Sequence, residues 1–438
     1  MKKIIFFTCF ILLYVSAYAQ LRNAEFQAIG TYKTVERSGS TTLEEVYIFK
    51  TLTGAKITYT TNVGNSVKAY TYETSINGER NDITLPLPVP AGQGREMYTI
   101  TNLEDAKGLA FEDNNRTKAV WIIDYNTHRP QLHSITPVES ADKCEALKLE
   151  INKDDFLFFR ETTGQQKEIK RKYEIEYDIQ TWDGEEFVTE SKVLKDLIIG
   201  TEIVLVEGDL PNLKTEFTLI GDQFGKAFGS PEKVISSTYE PATAIAKMTH
   251  KQHNRESDNE IGADGTGLGG SAPVEIDFFG HANEPAADHY SWFIYNKKDM
   301  KNPEARYNDK DMNYIFQNAG DYIVTLEVAN INSGCTDTVS VNLNISESSL
   351  EVPNFFSPGS TPGQNDIFKV SYKSIVKFKC TIFNRWGNKV YEWTDPSQGW
   401  DGRHNGKLVN PGVYYYVIDA TGSEGKRYKK GGDINILR

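Results

Sequence analysis

Between Lys172 and Ile179 the chain alternates without a fault: Tyr173, Ile175, Tyr177 and Ile179 fall on one side, Glu174, Glu176 and Asp178 on the other. A period of two makes this an antiparallel strand with one buried and one wet face. Trp182, Asp183, Gly184 and Glu185 then supply a turn. The same pattern recurs elsewhere. Ala119, Val120, Trp121, Ile122 and Ile123 form a short apolar run that suits a strand buried on both faces. Asn77 and Gly78 mark a hairpin turn after Ala69–Tyr72. Pro86, Pro88 and Pro90 exclude a central strand and predict an edge or an extended connector. No stretch of useful length has a helical period, and the 23 Tyr and 22 Phe favour strands. The expected fold class is all-β: tandem immunoglobulin-like β-sandwich domains ending in a small Greek-key module.

At about 100–200 residues per domain, 438 residues suggest several such units. Residues 20–138 read as a first β-sandwich domain and 139–246 as a second, with no family recognised across 20–246. Residues 247–272 change character. They are polar from His250 to Asn259 and glycine-rich from Gly262 to Gly270. Such a stretch buries too little apolar surface to order itself, so it reads as a linker. Residues 273–347 and 350–438 follow as two further β modules.

Met1, Lys2 and Lys3, the apolar run Ile4–Val15 and then Ala17, Tyr18 and Ala19 have the layout of a signal peptide over residues 1–19, cleaved between Ala19 and Gln20. The run is too short for a spanning helix, which needs about 20 apolar residues. Cys9 lies inside it rather than at the cleavage point, which excludes lipidation. No other stretch is apolar enough to span a membrane. The net charge of −12 argues against a nucleic-acid partner. Cys144, Cys335 and Cys380 stand alone in different modules without metal-type spacing. Three separate thiols are expected rather than a bridge.

Two resemblances add to this. The C-terminal stretch runs through Val352–Pro358, Asn365-Asp366, Phe383-Asn384-Arg385-Trp386-Gly387, Gly399-Trp400-Asp401-Gly402, Pro411-Gly412-Val413-Tyr414 and Gly432-Asp433-Ile434. In this order the motifs resemble the gliding motility-associated C-terminal domain, the type B sorting domain of type IX secretion, over residues 350–438. The resemblance implies export through the outer membrane, with the type IX translocon as partner and a place at the cell surface or outside. Residues 273–347 resemble a PKD-like, immunoglobulin-like domain through Tyr290, Trp292, Tyr314 and the run Asn318–Asn330. The family's Gly-Asp-Gly turn after its tryptophan is missing. The resemblance implies a spacer or binding module.

Sites that carry chemistry are few. Gly265, Gly267 and Gly270 fit a dinucleotide fingerprint on paper, but no strand precedes and no helix start follows. His250 and His253 lack a third ligand. Asp154-Asp155 and Glu185-Glu186 point to opposite faces if they lie in strands. The loop before Asp366 carries too few carboxylates for calcium. No nucleophile elbow or metalloprotease motif occurs, so no catalytic residue, metal or cofactor is expected. Trp182, at a hairpin tip, could stack on a glycan or fill a packed corner. Lys426, Arg427, Lys429 and Lys430 form either a solvated turn or a contact with an acidic partner. The expected function is that of a non-catalytic exported surface or secreted protein. A glycan or protein ligand would sit within 20–246. A secreted carbohydrate-active enzyme and a structural adhesin or motility-filament component are the alternatives.

Overall fold

A computed structural model describes residues 25–35, 43–262, 267–360, 363 and 365–437. The signal peptide expected at 1–19 and the cleavage expected between Ala19 and Gln20 lie outside the described residues, as does part of the glycine-rich run. The fold is almost all β, with 56% of residues in strands and 2% in helix.

The first domain pairs a four-stranded sheet (Phe26–Ile29, Lys56–Asn62, Arg95–Ile100, Val89–Gly92) with a six-stranded one (Tyr32–Thr34, Leu43–Phe49, Arg116–Asp124, Lys107–Asp113, Val67–Tyr72, Arg80–Ile83). The strand Arg116–Asp124 runs parallel to Leu43–Phe49 and antiparallel to Lys107–Asp113. Its side chains serve two cores, Val120 and Ile122 on one face, Trp121 and Ile123 on the other. That is why the sequence shows a run rather than an alternation there. Val89–Gly92 takes the sheet edge, where its proline removes no internal bond.

The second core is not fully separate. Leu157, Phe159, Ile169, Phe224 and Phe228 join Trp121 and Tyr125 in one cluster. Between the two domains Tyr125 donates its hydroxyl to Asp222 at 2.9 Å, and Asp222 pairs with Arg171, both acid and base being buried. Removing one partner of such a pair strands the other charge, at a cost of about 3–5 kcal/mol. Asp222 also caps the short helix Gln223–Ala227 by accepting from the N–H groups of Phe224 and Gly225. The alternating strand is Tyr173–Trp182, with Tyr173, Ile175, Tyr177 and Ile179 inward.

The third domain faces a three-stranded sheet (Ala246–His253, Val274–Ala282, Asp311–Phe316) with a five-stranded one that includes His289–Asn296, Gly320–Asn330 and Cys335–Ile345. Trp292, Tyr322, Val324, Leu326 and Val328 fill its core. The linker expected at 247–272 is corrected here. Ala246–His253 pairs with Val274–Ala282 along its whole length. Residues 258–261 strap onto the C-terminal domain: Asn259 Nδ2 donates to the carbonyls of Val370 and Pro396, both at 2.8 Å, and Tyr372 donates to buried Glu260 at 3.2 Å. Composition measures what a segment can bury by itself. It does not register hydrogen bonds offered by a neighbouring domain.

The cysteine expectation is also corrected. Cys144 and Cys335 form a disulfide across a sequence separation of 191, tying the second domain to the third. Lone cysteines in separate modules carry no sequence signal of a partner so far away. Cys380 remains a buried free thiol, and burial pushes its pKa up.

The C-terminal domain is a five-stranded sheet in the order Phe355–Phe356, Arg427–Ile436, Gly412–Gly422, Ile375–Phe383, Lys389–Trp393, completed by two short two-stranded pairings, Ser349–Glu351 with Ser371–Lys373 and Arg403–His404 with Lys407–Leu408. Phe378, Cys380 and Ile382 line one side of its core.

Candidate functional site

The motif residues of the C-terminal domain gather around two turns. The first ends the strand Ile375–Phe383. Asn384 Oδ1 accepts from the backbone N–H groups of Trp386 and Asn388, each at 3.0 Å, while its own N–H donates to Asn388 O at 3.0 Å. An asparagine amide here acts as part of the turn. Gly387 sits at φ 81°, a conformation that favours glycine. The turn leaves Trp386 70% exposed, with the Arg385 guanidinium 4.2 Å from its ring centre. Trp386 lies outside the domain core.

The second turn is built inward. Trp400 is fully buried, its ring 5.4 Å from Phe356 and 5.5 Å from Tyr414. Its indole N–H donates to Arg403 O at 2.8 Å, and its backbone bonds both ways with Phe368. Asp401 accepts from Arg403 N at 3.0 Å and closes the turn. Gly402, at φ 74°, lies so close to Pro358 that a Cβ would sit 2.7 Å from the ring. Pro411 and Gly412 lead into the strand Gly412–Gly422, where the Tyr414 hydroxyl donates to Asn410 O at 3.2 Å. Gly432 pairs with Tyr416 and leaves room for that ring; a Cβ would sit 2.8 Å from its hydroxyl. Asp433 is exposed opposite Tyr415.

One exposed apolar stripe was not singled out from the sequence. Val413, Tyr415 and Val417 project from the outer face of an internal strand, and Tyr415 pairs with Phe383, the residue just before the first turn. The alternation of Val413, Tyr415 and Val417 with Tyr414, Tyr416 and Ile418 contained the signal, since both faces are apolar.

Elsewhere the tempting groups are occupied structurally. Asp366 accepts from the N–H groups of Gly359 and Gly363 and holds their loop. His253 binds Asp277 at 2.6 Å, while His250, three residues away on the same strand, lies on the other face. Trp182 is half-buried between Phe187 and His281. In the basic cluster, Lys430 donates to Leu350 O at 2.6 Å and Lys426 lies over the Tyr428 ring. Among the described residues no group of three or more His, Cys, Asp or Glu is placed to hold a metal ion, and no helix is long and apolar enough to cross a membrane.

Residues 350–436 match the CHU_C type IX secretion signal domain. The C-terminal domain is a type IX secretion signal. Residues 136–237 match the fibronectin type III domain, which gives the second domain the family that its sequence had not disclosed. No curated protein matches the chain. Among solved structures, similarity extends to dimeric latent PorU from Porphyromonas gingivalis, at 12% identity and a TM-score of 0.17, covering 74% of this chain and 36% of that one. It extends also to the FN1–FN3 domains of chicken CNTN1 (10% identity, TM-score 0.20, 72% of this chain and 98% of that one) and to the I9–I11 tandem of titin (9%, 0.18, 73% and 98%). The chain thus spans about a third of the length of the PorU chain. The type IX secretion signal implies secretion by that system, to the cell surface or beyond it.

Proposed function

We propose that this chain is a non-catalytic, multi-domain protein that enters the periplasm by the signal peptide at 1–19 and crosses the outer membrane with residues 350–438 as its address. Its upstream β domains act as binding or spacing modules at the surface or in the medium. The observation that supports this best is the division of labour within the C-terminal motifs. Trp400, Gly402, Tyr414 and Gly432 build the domain. Arg385 and Trp386 are held out to solvent by a turn whose hydrogen bonds do not involve their side chains. An exposed tryptophan paired with arginine is costly to keep and suits a protein contact, where Trp and Arg are enriched among energetically dominant residues. The translocon is the partner that this position fits. The immunoglobulin-like and fibronectin-like modules, joined by a disulfide and buried polar bonds, fit a rigid display stalk.

The test is sufficiency. A monomeric reporter placed between residues 1–19 and 350–438 should reach the surface or medium in a host with an active type IX system. A reporter that stays in the periplasm would overturn the proposal.

A further inference from the structure

The junction between the fibronectin-type domain and the third domain is fixed by a chain of asparagines. The backbone of Gln180 exchanges two hydrogen bonds of 2.7 Å with the side chain of Asn212. Buried Asn283 donates to Asn212 O at 2.8 Å and to Thr243 O at 3.1 Å, and accepts from Ile245 N at 2.8 Å. With the Cys144–Cys335 bridge, these contacts hold the two domains in one orientation. An open cleft of about 470 Å³ lies between the same two domains, within the range of small-molecule sites, which favour domain interfaces.

Its lining has a definite chemistry. Phe187 offers a ring edge-on to Trp182, which in turn lies 4.7 Å from His281. Burial, reinforced by nearby Lys310, keeps the His281 imidazole below its ordinary pKa, and its Nε2 lies 3.1 Å from Thr249 Oγ1. Lys310 is the lining cation, and it is already paired with Glu284 at 2.9 Å. The lining carboxylates are Glu185, Glu186, Glu284 and Asp311.

We propose that this cleft binds a neutral oligosaccharide. Acceptors outnumber donors along the wall, so the ligand must bring hydroxyl donors. Aromatic rings (Phe187 and Phe279) beside carboxylate oxygens suit a sugar ring, whose C–H face is apolar and whose rim is polar. The surplus of carboxylates repels uronates and sulfated chains. The fixed junction removes the ordering cost that a mobile pair of domains would meet on binding. This inference rests on the upstream domains being binding modules, and is independent of the export route.

The test uses the whole mature chain. Calorimetry with neutral cello-, laminari-, manno- and chito-oligosaccharides, and with polygalacturonate and spermidine as charged controls, should find one neutral series that binds. Phe187→Ala and, separately, Glu186→Gln should each weaken that binding about tenfold or more, a loss of about 1.4 kcal/mol, with a cooperative melting transition confirming that the fold is intact. No binding by any neutral series, binding untouched by both substitutions, or binding of the charged controls alone would overturn the inference. Surface display of both variants, measured in parallel, keeps a failure of the cleft separate from a failure of export.

Discussion

The turn at Asn384–Asn388 and the corner at Trp400–Gly402 use the same materials: a tryptophan, a glycine at positive φ, and a side chain that closes the turn by accepting backbone N–H groups. They put their tryptophans to opposite uses. Trp400 is enclosed by Phe356 and Tyr414, and its N–H is satisfied internally. Trp386 stands in solvent against Arg385. The difference teaches that a motif can mix residues that make a domain fold with residues that the folded domain presents. Burial, rather than membership of the motif, separates the two.

Substitutions can break or sharpen that contrast. The largest effect is expected from Trp400→Ala, which removes a fully buried ring and leaves a cavity. The C-terminal domain should lose about 3–5 kcal/mol, read as a drop in its denaturation midpoint, and export should fall because the domain unfolds. Next comes Gly402→Ala, which meets both an unfavourable φ and the Pro358 ring. A cost of about 1–3 kcal/mol is expected from backbone strain alone, again in the unfolding midpoint. Asn384→Ala should cost about 1 kcal/mol, as one net hydrogen bond or a little more is lost from the turn, and should loosen the tip as seen by amide exchange at Trp386 and Asn388. Trp386→Ala should change stability by less than about 0.5 kcal/mol, yet lower surface display more than Asn384→Ala does. If Trp386→Ala were exported normally, the tip would be an ordinary turn and the contrast would collapse into two folding motifs.

The sequence disclosed what depends on neighbours along the chain. The alternation of Tyr173 to Ile179 gave a strand and its inward face, and the doubly apolar run Ala119–Ile123 marked a strand between two cores. The C-terminal motifs were legible because turns are local: Asn384, Gly387 and Asp401 act within a few residues of themselves. What stayed hidden depends on residues far apart. Cys144 and Cys335 have nothing in their spacing to pair them. Arg171 and Asp222 look like surface charges until the fold buries them against Tyr125. Asn259 and Glu260 look like linker residues until the strand around Tyr372 gives them partners. The cleft belongs to the same class. Trp182 stood out at its turn, but Gln180, Phe187 and His281 mean little until two domains meet. The exposed stripe of Val413, Tyr415 and Val417 escaped notice because an apolar residue on a strand reads as core whichever way it points.

The central claim is that the C-terminal domain is an address for the domains ahead of it. It is tested most directly by deleting residues 350–438 from the full chain in a host with an active type IX system and locating the product by fractionation and protease shaving of whole cells. The account predicts a folded, disulfide-linked protein that accumulates in the periplasm and resists shaving. Normal display or release of the truncated chain would contradict it.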